Sequence, residues 1–401
     1  MRAAYRELSL SQQVLQRQSS HALAVREYIR HNCELRGSLG LLLMPLALPN
    51  EIAVAAGEES SRLVAAIAAS RAQTAESTLA CYIAADRAAH DSFSKISSKI
   101  GVRTASFDDP RNTPPQLGAS ESSADSGYGH PTPTIFGKAW DVGSSAGDLA
   151  RGTAGDAISP ARNFTGEAGS VIERTDPVSY LVPPDLGQSP IEDLRWSAGL
   201  ILGGIDWVAE QFLGFSILED WVLKPLGGDW QAIGRSSIAW GNASTSYLHM
   251  AQNFTGLPET TLDWQGAAAE AFRVSMGLVA AGLVGLSSAY GYISGLVGTV
   301  VSVAKNACAL IGAILSWISV KLLRLAAEAA VPIVGWAVAG AEVVELVYKI
   351  VTGLRSIQTL FNLILAAVQG FIDGKERLVE MISLIEDLAR YAAHDVSRGT
   401  A

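Results

Sequence analysis

The 401-residue chain has room for two or three structural units, and its residues are 49% hydrophobic and 17% charged. That mix suits closely packed helices or a membrane-associating protein better than an enzyme with a charged surface. A net charge of −9, with no local run of lysine or arginine, excludes the basic patch on which nucleic-acid binding rests, so no nucleic-acid partner is expected.

The opening residues, Met1 to Glu7, are polar and lead into glutamines and arginines, so no secretory signal peptide is expected there. Residues 7–36 read as a first helix, with Leu8, Leu15, Ala22 and Ile29 at heptad spacing. Such a narrow apolar seam suits a partner helix. Gly37, Gly40, Pro45 and Pro49 break the pattern. A second helix follows from Asn50, a candidate N-cap, to Ile100, with Ile52, Leu63, Ile67 and Leu79 as its larger packing residues. Near its end Tyr82 and Asp86, four apart, share one helical face. An ordinary surface pair is the plain reading of those two residues in isolation.

Residues 101–190 change character: ten prolines, many Gly, Ser and Asp, and a net charge of −5. No apolar period persists, so this reads as a flexible acidic linker in which only short stretches such as 134–140 would dock. Helical texture returns over 191–222 with Trp196, Trp207, Phe212, Phe215 and Trp221, and Pro225 to Asp229 stops it. Asp229 is placed to cap the next helix. That helix, 230–257, carries the clearest period in the chain. Ile233, Trp240, Tyr247 and Phe254 form one line, and Trp230, Ser237, Ser244 and Ala251 the line beside it. Large and small rows side by side let helices interlock. Pro258 is read as ending this arm.

A bend is expected at Trp264-Gln265-Gly266, with glycine where the chain turns tightly and Asp263 as a cap for the outgoing helix. Beyond it Ala268, Phe272, Met276 and Val279 continue an apolar face. From Gly277 to Ala304 no residue is charged, and Gly291 and Gly295 would allow close helix contact in lipid or in a bundle. Asn306 to Val320 is also uncharged but short for a membrane span. Residues 329–372 mix apolar blocks with isolated charges, and Asp373-Gly374 breaks them. A last amphipathic helix carries Leu378, Ile382, Ile385 and Leu388 and ends in a second Tyr-x-x-x-Asp, Tyr391 to Asp395.

A search for chemistry returns no nominee. The six histidines are scattered outside any metal-ligand spacing, and no phosphate-cradling loop or nucleophile elbow occurs. Neither a catalytic residue, a metal nor a cofactor is expected. Three cysteines, Cys33, Cys81 and Cys308, make no disulfide framework. In a hairpin bent near 38–49, Cys33 faces about residue 54, so a bridge to Cys81 is not expected.

A helical hairpin with Trp264-Gln265-Gly266 at its bend, preceded by Gly228-Asp229-Trp230 and followed by Ala267 to Phe272, resembles the WXG-like proteins exported by type VII (ESX) secretion systems of actinobacteria. Tyr82–Asp86 and Tyr391–Asp395 resemble the export signal of that system, and residues 1–100 look like its small secretion-associated hairpin proteins. The resemblance covers 1–100 and 220–300 best. It implies an all-α fold, a WXG-like four-helix bundle of two hairpins held in one chain, as in fused PE–PPE-like substrates. The expected division is a hairpin over 1–100, the linker 101–190, the WXG-like hairpin 191–304 and an apolar helical region 305–401.

It also implies that 1–100 packs in cis against 230–304, bringing Trp264 toward Tyr82, with Trp264, Gly266, Tyr82, Asp86, Tyr391 and Asp395 as the secretion motif. Which Tyr-x-x-x-Asp pairs with the bend stays open. The partners implied are the type VII secretion ATPase and a secretion chaperone, with self-association and membrane contact as further options. The location implied is secreted or cell-envelope associated. The rival reading is a membrane-inserting or pore-forming protein using 277–320.

Overall fold

The computed structural model describes residues 2–126, 128, 171–185, 227–261, 264–329, 351–353 and 355–373, together with 348, 383, 386 and 387. The aromatic stretch 191–222, Asp263, the segment 134–140 and the C-terminal Tyr391 and Asp395 lie outside the described residues.

Four long helices organise the described chain: α1 (Arg2–Asn32), α2 (Ala47–Lys99), α3 (Trp230–Thr260) and α4 (Ala267–Ala329). The fold is all-α. Among the described residues the β pairing is limited to two isolated bridges, Leu39 with Gly228 and Ser122 with Thr175. The heptad seam of α1 is used in full, since Leu8, Leu15, Ala22 and Ile29 are completely buried. On α3, Ile233, Trp240, Tyr247 and Phe254 are likewise fully buried. The smaller row mates with α4 through two serine pairs seven residues apart. Ser237 and Ser294 each donate to the other's carbonyl, at 2.9 and 2.7 Å, and Ser244 and Ser287 do the same at 2.7 and 2.8 Å. Each hydroxyl thereby satisfies itself while the two backbones approach closely.

The first hairpin packs on the second. Tyr290 of α4 donates to the Gly57 carbonyl of α2 (3.1 Å) and shares a 2.6 Å bond with Ser60, while Tyr247 of α3 donates to Ser61 at 2.8 Å. Trp240 and Tyr247 meet the Tyr290 ring edge-on, with centroids 5.2 and 5.3 Å away. At one end the two hairpins cross backbone to backbone. Asp229 N–H donates to the Ser38 carbonyl at 2.7 Å, and a Cβ on Gly40 would fall 1.4 Å from the Gly227 carbonyl oxygen. Only glycine fits Gly40 there.

Several boundaries differ from the sequence reading. The first helix closes at Asn32 rather than 36. The second starts at Ala47, so Asn50 is not its N-cap. Asn50 is buried and ties down the end of α1 instead, accepting from Leu35 N–H (2.9 Å) and donating to the Cys33 carbonyl (3.0 Å). Pro258 does not end α3, which runs to Thr260. A proline so near a helix end removes a single ladder bond, and the helix runs on for two residues past it. Asp229 does cap α3, accepting from Ala232 N–H at 2.9 Å.

Parts of the stretch read as a flexible linker are seated on the helices. Residues 113–118 lie along α1, where Gln13 bonds Pro115 and Leu117 and Arg17 bonds Gly118. Residues 171–185 run along α1 and α3. Side-chain amides and guanidinium groups on the helices hold them by main-chain bonds, which no apolar period in the segment announces. Cys33 is a buried free thiol and Cys81 an exposed one.

The charge-free run of α4 supplies core. Met276, Leu283, Tyr290, Val297, Ala304 and Ile311, seven apart, are all buried. Helical residues 355–373 join the same core through Ile357, Ile364, Val368 and Phe371. Three helical stretches, Leu41–Lys99, Ala267–Ile314 and Val351–Asp373, are long and apolar enough to cross a membrane.

Candidate functional site

The α3–α4 bend builds a second, smaller apolar cluster that meets the main core at Phe272. Leu8 of α1, Trp264 of the bend and Ala269 of α4 form its buried centre, with Leu79, Tyr82 and Phe272 packed around them. The bend is fixed by backbone geometry. Gly266 has φ of +109°, a region that side chains other than hydrogen resist. Its carbonyl accepts from Glu270 N–H at 3.1 Å, opening α4. Arg273, one turn on, reaches back to the carbonyls of Thr261 (2.9 Å) and Trp264 (2.7 Å) and pairs with Glu270 at 2.9 Å. It thereby clasps the outgoing helix to the end of the incoming one.

So fixed, Trp264 is 5% exposed. Its ring lies 5.4 Å from that of Phe272, tilted, and its Nε1 donates to Tyr82 Oη at 3.3 Å. The two residues are 182 positions apart, so the sequence-predicted approach of the bend to the first Tyr-x-x-x-Asp is present. Asp86 takes part as well: the Tyr5 hydroxyl donates to its carboxylate and lies 3.4 Å from the Tyr82 carbonyl. Burial, followed by the Asp86 carboxylate beside it, pushes the Tyr5 hydroxyl well above its ordinary pKa.

Tyr82 and Asp86 lie in the interior of α2, which continues to Lys99. The chain then folds back, bracing that extension. Thr104 bonds Ser94 (2.8 Å), His90 meets the Ala105 carbonyl (2.8 Å), and Arg87 pairs with Asp109 (2.6 Å). Hydrogen bonds from Arg111 hold the Asp109 carboxyl down at about 2.

Of the named residues, Trp264, Tyr82, Asp86 and Phe272 come together at the bend. Ile233, Trp240, Tyr247 and Phe254 belong to the main core. Tyr5 was not singled out by sequence reasoning, although it sits three residues before Leu8 on the same seam. Arg273 stands four residues before the uncharged run, where its sequence position does not reveal the carbonyls it reaches. Among the described residues no group of three His, Cys, Asp or Glu side chains is arranged to hold a metal. Comparison with protein-family models, curated proteins and solved structures finds no match.

Proposed function

We propose that this chain is a non-enzymatic substrate or secretion-associated protein of a type VII secretion system, acting through protein contacts. Its export mark is the junction of Trp264 with Tyr82. The observation that carries this reading is the Trp264 Nε1 to Tyr82 Oη hydrogen bond of 3.3 Å. It joins the two short motifs of the family resemblance in one folded site. A WXG-like four-helix bundle, formed by both hairpins in cis, is the architecture that would present such a mark. The export ATPase reads it on the folded bundle, and the protein reaches the cell envelope or the medium.

The test is a secretion assay in a host with a type VII system, probing lysate, membrane and culture filtrate for wild type, Trp264→Ala, Tyr82→Ala and Tyr391→Ala. Loss of the filtrate signal in Trp264→Ala and Tyr82→Ala, at normal lysate levels, is the expected outcome. Normal export of both would sink the proposal, and loss in Tyr391→Ala instead of Tyr82→Ala would move the mark to the C-terminal motif.

Membrane insertion is the second reading, favoured by one specific observation. Leu310, Val320 and Leu363, at 53%, 63% and 53% exposure, leave apolar surface on the far part of α4 and on the helix 355–373. Wild-type protein confined to membranes, and indifferent to all three substitutions, would select it.

A further inference from the structure

Residues 171–185 form a strap along the contact between α1 and α3, and the strap is held as a bound peptide is held. The helices grip its main chain at two places. Asn253 accepts from the Thr175 N–H at 3.0 Å and donates to the Thr175 carbonyl at 2.9 Å, a two-point grip on a single residue. Further along, the Val182 carbonyl accepts from Tyr28 Oη (2.7 Å) and from Asn242 Nδ2 (3.2 Å). Main-chain bonds of this kind give affinity for an extended segment, and pockets for side chains give specificity.

Two such pockets are built. The Glu173 carboxylate is fully buried and is met by Arg17 (2.6 Å), Gln18 (2.7 Å), Ser120 (2.8 Å) and His21 (2.9 Å). Seven residues on, the Tyr180 ring stacks on His249 with centroids 4.0 Å apart and planes 11° from parallel. Arg174 pairs with Glu259 between them. Buried amides are costly with polar atoms left unpaired; Gln18 and Asn253 bond each other at 3.3 Å, and the strap satisfies their remaining groups. The strap connects to the helices through 129–170 and 186–226. Its own copy therefore holds the cleft by effective concentration, and an identical segment from another molecule would make the same contacts.

We propose that the α1–α3 cleft is a peptide-binding groove. It recognises an extended segment bearing a glutamate and, seven positions later, an aromatic residue. Residues 171–182 are its resident ligand, exchangeable for the same segment of a second copy of this chain.

The test is fluorescence polarisation with a labelled peptide of sequence 171–182, titrated with the full chain carrying Glu173→Ala and Tyr180→Ala to weaken the resident strap. Saturable binding is expected, weaker by about tenfold or more when the peptide itself carries Glu173→Ala. Adding Asn253→Ala to the chain should abolish it, and the wild-type chain, still occupied, should bind far less. No saturable binding to a variant of wild-type helicity, or equal binding of the Glu173→Ala peptide, would overturn the proposal. Should the double variant lose its helical signal, wild-type protein cut at protease sites inserted within 129–170 and 186–226 gives the answer. A strap fragment that co-elutes with the helices and is chased by excess peptide supports the groove. A fragment that leaves the assembled helices on cutting, or is never chased, refutes it.

Discussion

Replacing Tyr290 with phenylalanine should weaken the protein at neutral pH and cease to weaken it in alkali. The hydroxyl is fully buried and engages Ser60 at 2.6 Å and the Gly57 carbonyl at 3.1 Å. Deleting it strands neither group, because Ser60 also donates to the Gly57 carbonyl, at 3.0 Å. The loss at pH 7 is therefore that of ordinary hydrogen bonds, about 1–2 kcal/mol. Burial also pushes the Tyr290 hydroxyl far above its ordinary value of 10.0. A group whose folded pKa is raised keeps its full contribution below the unfolded pKa and loses it as pH rises beyond that point. At pH 11, one unit above the unfolded value, the wild type forfeits about 1.4 kcal/mol that Tyr290→Phe does not. The two effects then nearly cancel. Urea unfolding followed by far-ultraviolet circular dichroism at pH 7 and pH 11 reads the difference. The same penalty at both values would refute the argument.

The wild type itself should lose stability steeply above pH 10. Tyr28 and Tyr247 are raised by the same burial, and Tyr128 is pushed up to about 12. Tyr28, Tyr247 and Tyr290 together give a slope approaching about 4 kcal/mol per pH unit, read as the fall in urea midpoint between pH 9.5 and 11. Gly266→Ala meets no atom within 4 Å, so its destabilisation of about 1–3 kcal/mol comes from backbone strain at φ +109° alone and should appear in a thermal melt. Asp229→Ala removes the cap of α3 and should cost about 1 kcal/mol by the same assay. In a Cys308→Ser background, exposed Cys81 should react with a maleimide at once. Cys33, with its thiol pushed well up by burial, should react only on unfolding, which mass spectrometry of the labelled peptides would show.

Period was the legible part of this fold. Residues seven apart on α1 and α3 announced both seams, because a buried helix face needs an apolar side chain at every second turn. The bend was legible as well, since a tryptophan beside a glycine between two periodic arms has few other readings. The strap was not. Glu173, Thr175 and Tyr180 carry no period, and their partners, Gln18, Asn253 and His249, look like ordinary polar positions until both hairpins are assembled. Main-chain recognition leaves no mark on the recognised sequence, so a segment held that way reads as linker. Tyr5 was lost for a simpler reason: its hydroxyl matters only once α1 lies against Asp86, eighty-one positions away.

The uncharged run of α4 has two explanations in sequence, and its burial separates them by region. Between Met276 and Ile311 every seventh residue is in the core, and Ser287 and Ser294 spend their hydroxyls on α3. A helix drawn into lipid there would break the serine pairs and empty the cleft filled by Tyr290. Past Lys305, Ala307 and Ile311 still belong to the core, while Leu310 and Val320 face outward. The same holds for Leu363 on the helix 355–373, whose other face, through Ile357, Ile364 and Phe371, is core. The exposed apolar face after 305 is therefore where a membrane or self-association contact would leave the bundle that joins Trp264 to Tyr82 intact. The proposed export as a folded bundle and a later apolar contact would be compatible in one chain, because the Trp264–Tyr82 junction and the exposed apolar side chains lie on different stretches of it.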